Sequence, residues 1–523
     1  MKKIGLTIAA LILASISLKS QEPEPSWELS LSRAMPYWDY MPTNLLELED
    51  GSYLVPLIST IDYLKTTDRA CEAKILKISS DGEIMDEVVI RYDKEYKVND
   101  VSVDIWNDTV NVFAHHISND RRKAKITHNY LFDDLSVSEQ KEIYRTEFDT
   151  LMAAVYQAKR GNVPLMDKEG NRTMLCTYTS RFNKCGSEND KDYYVVNKAA
   201  FLKFDTKFNI IAENWYDIEE LHFNFLYPFT LNYNQDSTAY YFMSIAHNKP
   251  RNSQYVLDLD LNYQNRNSYT CDPQGVFDAV ICNWTQNPYD GEIYGFGEVY
   301  TPWQDSELFM FKLNRDNNEA EYNICSNTDD GINNMVFPGS NMCFSPDGKI
   351  YGLGIYDYFI YPYFIYGANV CYIGVFDKSL NYKSEWYYQI SPDYNHFFDY
   401  IYYTKSGDII ITGELRHEED GVVYFEPYMT KFPASAFNPE NIEEAHVHNL
   451  HLAVAYPNPG GDVMNIRTGL RNATLSVYDI NGRKIHEQEI TDDVTSIDAS
   501  KWESGTYVWK LKVENGKLVE TFQ

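Results

Sequence analysis

The sequence predicts an all-β fold made of about seven repeated units of four strands, followed by a smaller β-domain at the C-terminal end. Three observations predict it. Short runs rich in Tyr, Phe, Ile and Val are broken throughout by Gly, Asn, Asp and Pro, which is the punctuation of strands and turns. No long stretch carries helical periodicity. A turn followed by a β-run also returns at intervals of about 55 to 66 residues.

The recurring turns are Asp50-Gly51, Asn107-Asp108, Glu169-Gly170, Gln235-Asp236, Asp290-Gly291, Asp347-Gly348 and Ser406-Gly407. Gly, Asn and Asp belong there because a positive φ costs them least. Each turn leads into a strand: Tyr53 to Ile58, Val110 to Ala114, Thr173 to Thr177, Ala239 to Ile245, Ile293 to Val299, Ile350 to Ile355 and Ile409 to Leu415. A second signal, an apolar strand ending in a short polar turn, follows each by about 24 to 36 residues, as at Leu76 to Asp81, Leu202 to Asp205 and Ile373 to Asp377. Two turns per unit mean two hairpins, hence four strands. Stacking such sheets in a ring hides their edges, so residues 26–437 are expected to form a β-propeller of roughly seven blades. The last unit lacks a fourth strand, while Trp27 to Ser32 is unused. That segment is expected to complete the last blade. Ser345-Pro346-Asp347-Gly348-Lys349-Ile350-Tyr351 looks like the turn of many propeller blades. The resemblance to propeller families is otherwise architectural only, since Trp-Asp repeats, kelch double glycines and Asp-box spacing are absent.

The ends of the chain carry different signals. Lys2 and Lys3, an apolar run from Ile4 to about Ile16, and Ser20 read as a signal peptide over residues 1–20. The run is too short to span a bilayer comfortably. The stretch Tyr351 to Phe376 contains Asp357 and Pro362 and reads as β-structure with a loop, so no transmembrane segment is expected in the mature chain. The net charge of −30 would repel a nucleic-acid duplex, which excludes that class of partner. Eight cysteines contain no Cys-x-x-Cys pair, so a zinc site of that type is not indicated. Cys176 and Cys185 flank a polar stretch and form the local disulfide pair to expect first; the alternative is that most cysteines are small buried apolar residues.

After a linker at 438–451, residues 452–523 read as a β-sandwich. Ala455-Tyr456-Pro457-Asn458-Pro459 comes first. Leu475 to Ile480 then alternates as a strand before the hairpin signal Asn481-Gly482, and Gly505 precedes the strand Thr506 to Val513. These pieces resemble the type A C-terminal sorting domain of the Bacteroidota type IX secretion system. The residues carrying the resemblance include Tyr456, Pro457, Asn458, Pro459, Asn481, Gly482 and Gly505. It implies recognition by an outer-membrane translocon. It also implies passage through the periplasm and a passenger that is secreted or attached to the outer-membrane surface. The family tail commonly ends in a further strand with a basic residue; here the reading stops at Gln523.

Any ligand site is expected on the face formed by the middle loops of the units, which are long and chemically varied. Tyr356, Tyr358, Phe359, Tyr361 and Tyr363 offer aromatic rings with hydroxyls, suited to sugar faces or to core packing. Arg121, Arg122 and Arg251 are cations suited to a carboxylate or sulfate, or to ordinary solvated loops. Asp39, Asp100, Asp149, Asp278 and Asp399 each come shortly before an expected innermost strand. At a channel mouth such acids would suit Ca²⁺ or acid–base pairs; otherwise they cap loops. His446, His448 and His451 have metal-like spacing but fall in the linker. No other cofactor signal is evident, nor any nucleophile elbow or phosphate loop. Two functions follow: a secreted or surface module binding a glycan or protein, or a polysaccharide-cleaving propeller enzyme, either glycoside hydrolase or lyase.

Overall fold

The computed structural model of the chain describes residues 25–31, 35–36, 38–61, 72–148, 152–153, 164–181, 194–217, 231–233, 237–244, 252–269, 278–300, 306–314, 319–324, 341–356, 370–390, 394–419 and 422–437 of the passenger. In the tail it describes 453–456, 463–468, 473–479, 482–490, 494–502, 507–513 and 518–522. The signal-peptide reading at 1–20 lies outside these residues. All seven strands expected after a recurring turn are present, for example Tyr53–Ile61, Thr109–Ser118 and Ile409–Glu419.

The passenger strands form seven antiparallel sheets, each hydrogen-bonded in chain order from first strand to fourth. The exception is the last. Its three chain-order strands are Asn395–Tyr403, Ile409–Glu419 and Val422–Phe432, and its fourth is the N-terminal strand Trp27–Ser30. Trp27 lies opposite Lys431 and Ser30 opposite Tyr428, as the unused N-terminal segment led one to expect. Two first strands are more broken than the sequence suggested. In the first sheet Trp38–Pro42 and Leu46–Glu47 both pair with Tyr53–Ile61. The gap follows Pro42, and Thr43 and Asn44 there turn outward to the second sheet. Thr43 Oγ1 donates to the Val101 carbonyl (2.5 Å), while Asn44 bonds both the Val103 carbonyl and its N–H (3.0 and 3.2 Å). In the third sheet Met152–Ala153 and Leu165–Met166 share one neighbour.

Among the described residues, apolar side chains bury most of the sheets against their neighbours. Leu54 and Ile75 of the first sheet meet Val101 and Val112 of the second; Phe113 and Ile126 meet Met174 and Leu202; Phe201 meets Tyr240 and Leu257. Further along, Phe296 and Met310 pack with Ile350 and Tyr372, and Ile373 with Ile401 and Ile411. The seventh sheet also packs on the first, through Ile410 and Met429 against Tyr53, Val55 and Leu76. Polar ties reinforce that contact. Trp27 Nε1 donates to the Ser80 carbonyl (2.9 Å), Lys431 Nζ donates to the same carbonyl (3.3 Å), and Lys405 N donates to Glu47 Oε2 (2.8 Å).

The turns explain how so many hairpins hold register. At five of the first hairpins a glycine takes positive φ, and at one of them, Gly170, a side chain also has no room. A Cβ on Gly170 would lie 2.3 Å from the Trp106 indole, and one on Gly82, in a second hairpin, 2.6 Å from the Trp27 indole. Several second hairpins use a different device. Asp205, Asp258 and Asp377 each accept backbone N–H bonds from residues two and four positions on, and the Asn at the fourth position donates its side-chain amide back. This clamp holds Phe208, Leu261 and Leu380 at positive φ. The left-handed conformation costs a bulky residue about 1–2 kcal/mol. All three side chains are buried, which returns roughly 1.5–3 kcal/mol each, so burial wins.

The tail contains a three-stranded sheet and a four-stranded sheet, with Ile466, Leu475, Val477, Ile490, Ile497 and Trp509 buried. A last strand, Leu518–Phe522, pairs with Tyr507–Val513 and carries no basic residue. The hairpin that joins Ala473–Asp479 to Lys484–Ile490 is wider than a two-residue turn. Asp479 N donates to the Arg483 carbonyl and Gly482 N to the Asp479 carbonyl, the geometry of the passenger's glycine turns.

Removing residues 26–34 takes away the fourth strand of the seventh sheet together with buried Leu31 and half-buried Trp27 and Leu29, on the order of 5 kcal/mol of burial. Thermal denaturation of the truncated mature chain is expected to fall by several degrees. An unchanged melting curve would contradict this role for the strand.

Candidate functional site

Four of the five predicted acids fall inside first strands, not before them. Asp39 is in Trp38–Pro42, Asp100 in Tyr96–Trp106, Asp278 heads Asp278–Gln286, and Asp399 is in Asn395–Tyr403. Asp149 lies outside the described residues. First strands of the second, fifth and seventh sheets are bulged, with Asn99, Cys282 and Asp399 as the unpaired residues. Bulges re-aim side chains and recur beside functional sites. Opposite the Asp399 bulge the backbone comes so close that a Cβ on Gly413 would lie 2.1 Å from the Phe397 carbonyl oxygen.

Asp100 is 2% exposed and pairs in register with His115, which places it in the seam between the second and third sheets and not at an open mouth. Cys176 enters the same seam from the third sheet, its Sγ 3.7 Å from His115 Nδ1. It is a free thiol, so the expected Cys176–Cys185 disulfide is not formed by this side chain, which is buried among Phe113, Met174 and Leu202. Cys343 and Cys371 are likewise free and buried. Burial pushes the Cys176 thiol up to about 12, and holds His115 down to about 4. A nucleophilic cysteine needs a thiolate. Here a neutral thiol faces a neutral imidazole, and the pair is an interior contact.

Further along the seam lies a chain of polar groups that the sequence did not reveal. Arg172, 1% exposed, holds Asp104 through two bonds (Nε to Oδ2 2.7 Å, Nη2 to Oδ1 3.0 Å) and donates to the Gly170 carbonyl. Asn111 Nδ2 donates to Asp104 Oδ1 (2.8 Å), and Asn111 Oδ1 faces His128 Nε2 (3.0 Å). Because the Asn111 amide already donates, His128 must carry its proton on Nε2. Its ring stacks on Phe208 (centroids 3.8 Å). Burial, with Arg172 and Lys141 nearby, lowers its pKa to about 3. His116 contacts Thr127 Oγ1 (2.8 Å), and burial holds it well below its usual range, with Lys125 and His115 adding to the effect. A buried bidentate pair costs about 3–5 kcal/mol to break from one side. The seam therefore fixes the second sheet against the third. The available signal was an arginine at the head of the strand Arg172–Arg181.

The remaining candidates spread over the loops. Arg121 and Arg122 lie in the turn between Thr109–Ser118 and Lys123–Leu131, a middle loop as expected. Arg121 has a φ of 59°, and the Arg122 backbone N–H donates to Asp120 Oδ1 (3.0 Å). Tyr356 ends the strand Ile350–Tyr356, opposite Val370. Tyr358, Phe359, Tyr361, Tyr363 and Arg251 lie outside the described residues, as do Pro457, Asn458, Pro459, Asn481, Gly505 and the three linker histidines. Among the described residues no three His, Cys, Asp or Glu side chains converge on a metal position.

Comparison with known proteins bears chiefly on the tail. Residues 454–523 match the family of secretion system C-terminal sorting domains. The chain is accordingly a secreted or cell-surface protein that passes through the periplasm and engages the secretion system by this tail. No curated protein matches the chain in sequence. Among solved structures, a fungal alcohol oxidase of the AA5 family in complex with copper is similar at 13% identity (TM-score 0.45), over 96% of this chain and 99% of that one. A polysaccharide lyase is similar at 9% identity (TM-score 0.42; 79% and 100% covered), and a Penicillium chrysogenum alpha-L-arabinanase at 10% (TM-score 0.36; 77% and 98%). Each likeness is too distant to transfer a reaction. No helix among the described residues is long and apolar enough to cross a membrane.

The buried histidines make stability depend on pH. The folded pKa of each lies below the unfolded value of about 6.5. The unfolded chain therefore binds protons that the fold refuses, and stability falls as pH drops below that value, levelling off near about 4 for His115 and about 3 for His128. Urea denaturation is expected to show a loss of about 2 kcal/mol per histidine between about pH 7 and about pH 5. His115→Gln and His128→Gln should each flatten that slope; equal slopes in wild type and variants would contradict the assignment.

Proposed function

We propose that residues 26–437 form a seven-bladed propeller, delivered to the cell surface or beyond by its sorting tail, that binds a glycan or protein on the face formed by its middle loops. One observation carries the reading. The N-terminal strand is hydrogen-bonded into the seventh sheet, and that sheet packs on the first, which supports a ring of seven sheets with loops at a common face. Bulged first strands in three sheets and the aromatic loop after Tyr356 give that face chemical variety.

Two experiments test the proposal. Deletion of residues 452–523 is expected to retain the protein in the periplasm, measured by cell fractionation; normal surface display of the deletion would contradict export by the tail. Glycan-array screening of the mature protein should give hits that are lost in the Tyr358→Ala/Tyr361→Ala variant. Unchanged binding would remove the aromatic loop from the site, and depolymerised product from any hit would move the function to polysaccharide cleavage.

A further inference from the structure

Large apolar side chains are unevenly placed on the passenger. Ile84 and Met85 open the fourth strand of the first sheet just after its second hairpin. Tyr130 and Phe132 flank the entry to the second hairpin of the second sheet. Ile210 and Ile211 open the fourth strand of the third sheet, and Leu259 and Tyr263 bracket the second hairpin of the fourth. Met85, Ile211 and Phe132 are 58%, 52% and 50% exposed. Among the described residues, then, four consecutive sheets each present two exposed apolar side chains at the same place: about the second hairpin, at the end opposite the middle loops.

These places are joined step by step. Leu131 and Leu135, beside the second hairpin of the second sheet, pack with Ile90 and Val88 of the first. Lys141 Nζ donates to the Lys207 carbonyl in the hairpin of the third sheet (2.8 Å). Tyr216 OH donates to the Leu261 carbonyl of the fourth sheet (2.6 Å) and accepts from Tyr263 N (2.8 Å). The eight residues thus follow one rim, on hairpins locked by hydrogen bonds. An exposed apolar surface rimmed by polar groups marks an interaction site.

The charges along the rim say what would cover it. Across segments 80–87, 130–139, 205–213 and 258–264 there are eleven acids and a single basic residue, Lys207. Nearby Lys203 directs its Nζ to the Leu259 carbonyl (3.3 Å). A second copy of this chain would bring acids against acids, and an anionic bilayer would be repelled. A protein segment with apolar residues flanked by Lys and Arg satisfies both the apolar side chains and the field around them.

We infer that the outer rim of the first four sheets is a docking surface for a partner protein that presents an apolar segment flanked by basic residues, on the face away from the proposed glycan- or protein-binding loops. The test uses the full mature chain and a displayed library of random dodecapeptides. Peptides enriched on the wild type should carry an apolar core with flanking Lys or Arg and weaken with added salt. Their affinity should fall about tenfold or more for the Met85→Ser/Phe132→Ser/Ile211→Ser variant. Because these side chains are exposed, the variant should melt with the wild type. A second variant, Asp81→Asn/Glu83→Gln/Asp86→Asn, should lose salt dependence while keeping the apolar surface. Enrichment of acidic or uncharged peptides, or equal binding to all three proteins, would overturn the inference. So would rim-dependent flotation with phosphatidylcholine or phosphatidylglycerol vesicles, which would assign the rim to lipid.

Discussion

A four-stranded antiparallel sheet with apolar side chains on both faces is unstable until both faces are covered, and this requirement organises the passenger. Six of the seven sheets have a following sheet to lean on. The seventh has none, and the first has no predecessor. Their exposed faces are covered by each other, and the open edge of the seventh is filled by the strand at the other end of the chain. The stability of that contact is therefore tied to residues about 400 positions apart. Such pairing carries a loop-closure cost in folding, and the Trp27, Lys405 and Lys431 bonds reinforce it beside apolar burial.

Local rules hold the individual sheets in register so that this long-range contact can form. Glycines and Asp–Asn clamps both set these hairpins, and they act together at Gly170, which Asp167 and Asn171 flank. A glycine accepts positive φ without cost to sterics; a clamp forces a Leu or Phe into it and recovers the cost by burying the ring or branched chain between sheets. The clamped residue is thus both a turn position and a core residue. In the seam between the second and third sheets the same economy appears in polar form. Arg172, Asp104, Asn111 and His128 satisfy one another, and the histidines remain neutral because burial outweighs their affinity for a proton.

Much of this was legible in the sequence. The spacing of the recurring turns located the second strand of every sheet, and the unused Trp27 segment pointed to its pairing with the last sheet. The tail was legible from three ordered pieces because turn residues and strand alternation coincide there. What escaped was long-range or conformational. Nothing near Cys176 in the sequence signals that its side chain faces His115, some 60 residues earlier, so proximity to Cys185 suggested a disulfide instead. The Asp-x-x-Leu/Phe-Asn repeat was written at Asp205, Asp258 and Asp377. It was hidden because a bulky residue at positive φ runs against propensity. The candidate acids were placed one short step early, before their strands, because bulges at Asn99 and Asp399 lengthen those strands beyond what alternation indicates. Function was least legible, since the loops that would carry it lack the spacing rules that strands obey.

The central claim is that the two ends of the passenger form one cooperative sheet. Hydrogen exchange of the mature chain measures this directly at residues 27–30 and 428–431. The account predicts that amides of Trp27–Ser30 exchange as slowly as those of Ile409–Glu419 and are released together with them on partial destabilisation. Rapid exchange of the N-terminal strand, with the seventh sheet still protected, would contradict it.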